Sequence, residues 1–162
     1  CLRLREVASS KTGLHIRGLE QTDPLDTLTL EDGWSVALEE SQAFAAISVN
    51  AGWEVQGHSA FSGTGLYRCS LAIGSDGDWA LDLGEVHTAV TVRLDGQEIG
   101  RRAWRPYRFL LGHLSQGRYD LELAVSNTAA NRYYADTPYQ GDMLDKSGLV
   151  TPPRLILLTN RH

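Results

Sequence analysis

The sequence predicts an all-β protein, an antiparallel jelly-roll β-sandwich, on three observations. Apolar and polar residues alternate at period two in several runs, the mark of strands with one face on a core and one in water. Asp-Gly pairs punctuate those runs at Asp32-Gly33, Asp76-Gly77 and Asp95-Gly96, where glycine supplies the positive φ of a tight turn. No segment longer than about ten residues holds a 3.6-residue apolar stripe, so helices should be few and short. Counting runs gives roughly eight to ten strands, more than one open sheet carries without curling, which favours two packed sheets or a barrel.

The elements follow in order. LRLREV, from Leu2, reads as an opening strand, and LTLEDGWSVAL as strand, Asp32-Gly33 turn and strand, with Trp34, Val36 and Leu38 on one face. In YRCSLAI, Tyr67, Cys69, Leu71 and Ile73 share the inward face, while Arg68 and Ser70 share the other. WALDL and VTVRL repeat the pattern, and RYDLELAV turns Tyr119, Leu121, Leu123 and Val125 inward with Asp120 and Glu122 outward. RLILL is short and wholly apolar after its arginine, consistent with a strand buried on both faces, although pattern alone does not separate so short a run from a helical turn. Residues 40–65 and 127–153 are rich in small residues, glycine and proline and read as long connections. Connections of that length in a compact domain are usually functional or packed on a neighbour.

Composition narrows the function classes. With 162 residues, 42% of them hydrophobic, 22% charged and 16 of them glycine, the chain suits one folded domain with many turns, spanning 1–162. A formal charge of -5 gives the whole no attraction for a phosphate backbone, so nucleic acid is not an expected partner. No apolar run approaches the roughly 20 residues that cross a bilayer, so no membrane partner is expected either. The chain starts at Cys1 inside a strand-like run and is expected to be one domain of something longer. Cys1 and Cys69 make no disulfide framework, one being terminal and the other set among core-type residues.

The search for reaction chemistry returns little. Glycosidic hydrolysis needs two carboxyl groups facing one sugar. Glu39 and Glu40, adjacent on a strand, would point to opposite faces, Asp76 and Asp78 flank a turn glycine, and Asp142 and Asp145 lie in a loop. The histidines at 15, 58, 87, 113 and 162 have no HxH or HExxH spacing, so zinc is poorly supported. There is no G-x-S-x-G nucleophile elbow, and Ser62-Gly63-Thr64-Gly65 lacks the lysine of a phosphate loop. Calcium ligands are conceivable in SDGD (75–78) or around Asp136, Asp142 and Asp145, but a hairpin turn and a solvated loop explain them better. No metal, no cofactor and no catalytic residue is expected.

Aromatics beside arginines remain. Sugar rings present apolar C–H faces that stack on tryptophan or tyrosine, and arginine and asparagine can donate to their hydroxyls. Trp53, Trp104, Arg105, Tyr107, Asn131, Arg132, Tyr133 and Tyr134 form the candidate carbohydrate-binding set. The same rings serve equally as core: Trp53, Tyr107 and Phe109 could fill the space between sheets while arginine stems cover their edges.

FSGTGLYRCSL (61–71), WALDLGEVHTAVTVRLDGQEIGRRAWRPYRFLL (79–111), GRYDLELAVSNTAANR (117–132) and SGLVTPPRLI (147–156), in that order, resemble one family. It is the sugar-binding, galactose-binding-like jelly-roll domain of family 2 glycoside hydrolases, with the similar domain of family 106 α-L-rhamnosidases nearest in pattern. The resemblance covers roughly residues 50 to 158. Asp95 stands where asparagine is usual, which keeps the turn chemistry, and Thr151-Pro152 replaces a common Gly-Pro. The resemblance implies an accessory module beside a catalytic barrel that carries the carboxylates, with carbohydrate and the catalytic domain of the same polypeptide as partners, in a secreted or periplasmic bacterial setting. Two readings follow: a domain that binds sugar or shapes the active site through the Trp104 and Asn131–Tyr134 loops, or a module that only buttresses the catalytic domain.

Overall fold

The computed structural model describes residues 2–6, 16–21, 24–38, 43–134, 137–138 and 146–158, with side chains described from residue 27 on and not for Tyr134. Strands dominate: β1 (Leu2–Glu6), β2 (Ile16–Gln21), β3 (Pro24–Thr29), β4 (Ser35–Leu38), β5 (Ala45–Ala46), β6 (Thr64–Ile73), β7 (Gly77–Asp82), β8 (Val86–His87), β9 (Ala89–Leu94), β10 (Gln97–Arg102), β11 (Arg108–Leu114), β12 (Gly117–Ser126), β13 (Gly148–Leu149) and β14 (Arg154–Leu158). A 3₁₀ turn at Trp53–Val55 and the five-residue helix α1 (Ala130–Tyr134) are the helical pieces among the described residues. A six-stranded sheet runs β10-β9-β12-β6-β4-β5 and a four-stranded one β11-β7-β14-β3; β1-β2 and β8-β13 pair separately. Described neighbours are antiparallel throughout.

The fold is an all-β sandwich, and the period-two pattern is what closes it. On β6, Tyr67, Cys69, Leu71 and Ile73 are buried while Arg68, Ser70 and Ala72 are exposed; on β12, Leu121, Leu123 and Val125 are buried. Facing them from the other sheet are Trp79 and Leu81 of β7, Phe109 and Leu111 of β11 and Leu155 of β14, all in one apolar cluster. Each such aliphatic side chain contributes roughly 1.5–3 kcal/mol on leaving water. RLILL is β14, held between β7 and β3, with Leu155 and Ile156 buried on opposite faces. Burial pushes the Cys69 thiol up to about 12, so it behaves as a small core hydrophobe.

Two expected hairpins are corners instead. β3 lies in the four-stranded sheet and β4 in the six-stranded one, so Asp32-Gly33, with Gly33 at φ 80, carries the chain from one sheet to the other. The Leu30 amide donates to the Pro153 carbonyl, holding the segment to the start of β14 as it leaves. Asp76-Gly77 likewise joins β6 to β7 across the sandwich. Only Asp95-Gly96 closes a hairpin, β9-β10, with both residues in the left-handed region at φ 49 and 78, as a two-residue turn of matching twist requires. The chain also changes sheet between β7 and β9, β10 and β11, β11 and β12, and β12 and β14.

This weave gives the sandwich two unlike ends. At one, the connections are the short turns 74–76, 95–96 and 115–116. They tie to one another and to strand ends: the Gln116 amide donates to Asp76 Oδ1 at 2.6 Å, and the Asp120 amide to Asp95 Oδ1 at 2.7 Å. At the other, Ser126 sits opposite both Thr64 and Ala89, and Asp82 opposite both Arg108 and Arg154. The longer connections 59–63, 83–88, 103–107, 127–134 and 146–153 all leave from there.

Candidate functional site

The loop end is built from the inside outward. Trp53, in the 3₁₀ turn, has no exposed surface; its ring stacks on Tyr67 at 6.0 Å and meets Phe61 edge-on at 5.2 Å. The Ser147-Gly148-Leu149 segment lies over this pair. The Ser147 amide and hydroxyl both donate to Glu54 Oε2, the Trp53 amide donates to the Ser147 carbonyl, and the Leu149 amide donates to the Tyr67 hydroxyl. Gly148, at φ 77, has no room for a Cβ, which would strike the Tyr67 hydroxyl and the Trp53 indole. Glycine here satisfies two demands at once, a left-handed backbone and a close approach.

A second clamp fixes the loop ahead of α1. The Gly63 amide donates to Asn127 Oδ1 at 2.8 Å, Asn127 Nδ2 donates to the Phe61 carbonyl at 2.8 Å, and the Ser62 hydroxyl donates to the Thr128 carbonyl at 2.7 Å. The SGTG stretch and the asparagine after β12 are thus halves of one polar junction. Tyr107 makes a third: its hydroxyl donates to the Thr88 carbonyl at 2.6 Å, and the Leu83 amide donates to the Tyr107 carbonyl. Burial pushes the Tyr107 phenol up, keeping it a neutral donor, against the opposing charge of Arg105.

Above these clamps lies a charged cluster. Glu85 Oε1 accepts from His87 Nε2 at 2.9 Å, pairs with the Arg105 guanidinium at 3.1 Å and faces the Lys146 ammonium at 3.6 Å. The His87 hydrogen bond holds the Glu85 carboxyl below its usual range, against the opposing effect of desolvation and with the charges of Lys146 and Arg105 adding to it. Just below, Asp82, buried on the outer face of β7, takes Arg108 at 2.8 Å, Arg154 at 3.1 Å and the Gly84 amide at 2.9 Å. Arg101 and Arg102 end β10 at the same rim.

The structure sorts the predicted site residues into two groups. Trp53, Tyr107 (4% exposed) and Asn131 are buried, so the first two belong to the core alternative, and none of the three presents a surface to a ligand. Trp104 (72% exposed), Tyr133 (78% exposed), Arg105 and Arg132 stand out from the loop end; the Tyr134 side chain lies outside the described residues. Among the described residues neither the Trp104 nor the Tyr133 ring packs on another ring. None of the set lines the concavity of about 630 Å³ on the outer face of the six-stranded sheet, which Ser35, Arg68, Ser70, Asp120 and Glu122 help to form.

Three residues of the charged cluster were not visible as a set in the sequence: Glu85, His87 and Lys146. Lys146 reaches Glu85 only because β13 pairs with β8, with Gly148 opposite His87. The i, i+2 spacing of Glu85 and His87 was a signal available to reading, since alternate residues of an extended chain share a side. Of the carboxylate pairs weighed for catalysis, Glu39-Glu40 and Asp142-Asp145 lie outside the described residues. Asp76 caps a turn, and Asp78 stands 3.5 Å from His113.

Comparison with solved structures places this architecture. A rhamnosidase from Novosphingobium sp. PP1Y superposes with a TM-score of 0.73 and 24% identity, over 91% of this chain and 16% of that one. The likeness is one of fold. A family 2 β-galacturonidase from Eisenbergiella tayi, bound to galacturonate, gives 0.64 and 19% over 88% of this chain and 26% of its own. Bacteroides uniformis β-glucuronidase 2, as a calcium-binding mutant, gives 0.63 and 21% over 83% of this chain and 18% of its own. The chain therefore spans a quarter or less, roughly, of each of these glycoside hydrolases. No protein-family model and no curated protein sequence matches it.

Proposed function

We propose that this chain is a non-catalytic accessory domain of a glycoside hydrolase, family 2-like or α-L-rhamnosidase-like, that meets carbohydrate through its loop end. The observation that carries the reading is the pairing of the exposed Trp104 with Arg105 on a loop whose base is fixed by Tyr107. An exposed ring with no aromatic partner among the described residues offers a stacking face for a sugar, and the guanidinium beside it offers donors for hydroxyls. Tyr133 and Arg132 repeat the combination on α1 at the same end. The small share of each similar glycosidase that the fold occupies supports an accessory role beside a separate catalytic domain. Calorimetric titration of the chain with rhamnose, galactose and plant-cell-wall oligosaccharides tests it. Binding that disappears in Trp104→Ala is the expected result, and no binding to any of them removes the sugar contact.

A second reading, a module that only buttresses the catalytic domain, is favoured by one feature. Trp104 and Tyr133 project instead of lining the described concavity, and projecting aromatics with arginine suit the centre of a protein interface. A chain that binds no sugar yet associates with its separately produced catalytic domain would establish it.

A further inference from the structure

Charge is segregated along the sandwich. The chain carries -5 overall, yet Arg101, Arg102, Arg105, Arg108, Lys146 and Arg154 gather at the loop end around Asp82 and Glu85, while Asp76, Asp78, Asp95 and Asp120 gather near the turn end. Within the loop end the arginines differ in how far they are spent. Arg101 closes on Glu98 with two hydrogen bonds of 2.8 Å, Arg102 donates to the Arg108 carbonyl, and Arg108 and Arg154 close on Asp82. Arg105 and Lys146 differ from Arg108 and Arg154, which likewise share one oxygen of Asp82, in being the more exposed pair. They converge on one oxygen of Glu85, which His87 already occupies, so two cations share one carboxylate. Their side chains are 67% and 60% exposed, leaving most of their N–H groups facing water beside the Trp104 loop.

We infer that the loop end takes an anionic saccharide, its ring stacked on Trp104 and its carboxylate bridging the Arg105 guanidinium and the Lys146 ammonium next to Glu85. Two cations drawn together by one shared carboxylate match a second carboxylate, whose two oxygens accept one donor from each. A neutral sugar uses the ring and leaves the excess charge unanswered. The projecting ring suits this partner without a pocket, because the ionic contact fixes the orientation that walls would otherwise supply. Glu85 sets the strength of the contact: it holds the two cations in place and also offsets part of their charge.

This inference rests on the carbohydrate-binding reading above, and one titration separates the two. Galacturonate, galactose, and acetate with sulfate are titrated calorimetrically against the wild-type chain, R105Q/K146Q and Glu85→Gln at about 50 mM and about 500 mM salt, conditions between which the screening length falls severalfold. The expected result is galacturonate bound about tenfold tighter than galactose at low salt, as one charge-assisted contact would give, with the preference shrinking at high salt. R105Q/K146Q binds both sugars alike, and Glu85→Gln widens the preference. Equal affinity for galacturonate and galactose in the wild type overturns the inference and leaves the carbohydrate reading standing. Acetate or sulfate binding as tightly as galacturonate overturns it too, by showing an anion site with no use for the sugar ring. Absence of binding by either sugar sinks both.

Discussion

At the turn end of the sandwich the strands are joined by segments of two or three residues whose polar groups are consumed locally, Asp76 on the Gln116 amide and Asp95 on the Asp120 amide. At the loop end the connections are longer, and each has a buried foot and an exposed tip. Trp53 and Gly148 lie under Lys146, Tyr107 lies under Trp104 and Arg105, and Asn127 lies before α1 with Tyr133. The contrast shows how a sandwich can hold exposed side chains in water without giving up stability. Turns too short to carry a spare side chain close the sheets, while long connections can be anchored by core residues and still hold others in water.

The comparison can be broken or sharpened by substitutions of graded effect. Trp53→Ala, at the buried foot, should cost about 3–5 kcal/mol, as large aromatic truncations in a packed core do. Chemical denaturation reads this as a lower midpoint, and a cost no greater than a surface change would mean the loop end has no core beneath it. Asn127→Ala removes the two side-chain bonds that Asn127 gives the polar junction and leaves the Gly63 amide without its acceptor, an expected loss of about 1–3 kcal/mol. Hydrogen exchange should rise across 61–64 and 127–134 and not at 95–96. Gly96→Ala probes the turn end. Its φ of 78 lies in open space, so only the conformational penalty of about 1 kcal/mol applies, and a larger loss in thermal unfolding would contradict a simple closing turn. Trp104→Ala should change stability by no more than about 0.5 kcal/mol, as surface substitutions do, while removing sugar binding.

The smallest effect is electrostatic. The Glu85 carboxyl titrates below its usual range because His87 bonds its charged form, with Lys146 and Arg105 adding to the effect. A depressed carboxyl contributes stability that is present above its unfolded pKa and is lost as pH falls through the lower folded value. Wild type should therefore lose more stability than Glu85→Gln below about pH 4. Parallel curves for the two proteins would show the cluster to be electrostatically idle.

Much of the fold was legible because period-two alternation is a local property of each strand. The inward sets of β6, β9 and β12 follow directly from Tyr67, Val90, Leu121 and their alternates, whereas the uniformly apolar run of β14 was decided as a strand only by its pairing with β7 and β3. Corners were not legible: Asp32-Gly33 and Asp95-Gly96 use the same residues, and only partners distant in sequence decide whether the chain returns to the same sheet or crosses. The site was half legible. Trp104, Arg105 and Tyr133 could be read as exposed, but Trp53 sits among small residues that resemble a loop, and its burial depends on Tyr67 and Gly148 arriving from elsewhere. The Glu85 cluster draws on three connections and exists only after the sheets have formed.

The central claim is that ligands meet the loop end alone. Amide chemical-shift mapping of the isotope-labelled chain during titration with galactose, rhamnose and galacturonate tests it most directly. The account predicts shifts confined to 83–88, 103–107, 128–134 and 146–150, with the turns at 74–76, 95–96 and 115–116 silent. Shifts centred on those turns, or on Ser35, Arg68 and Asp120 of the outer sheet face, would contradict it.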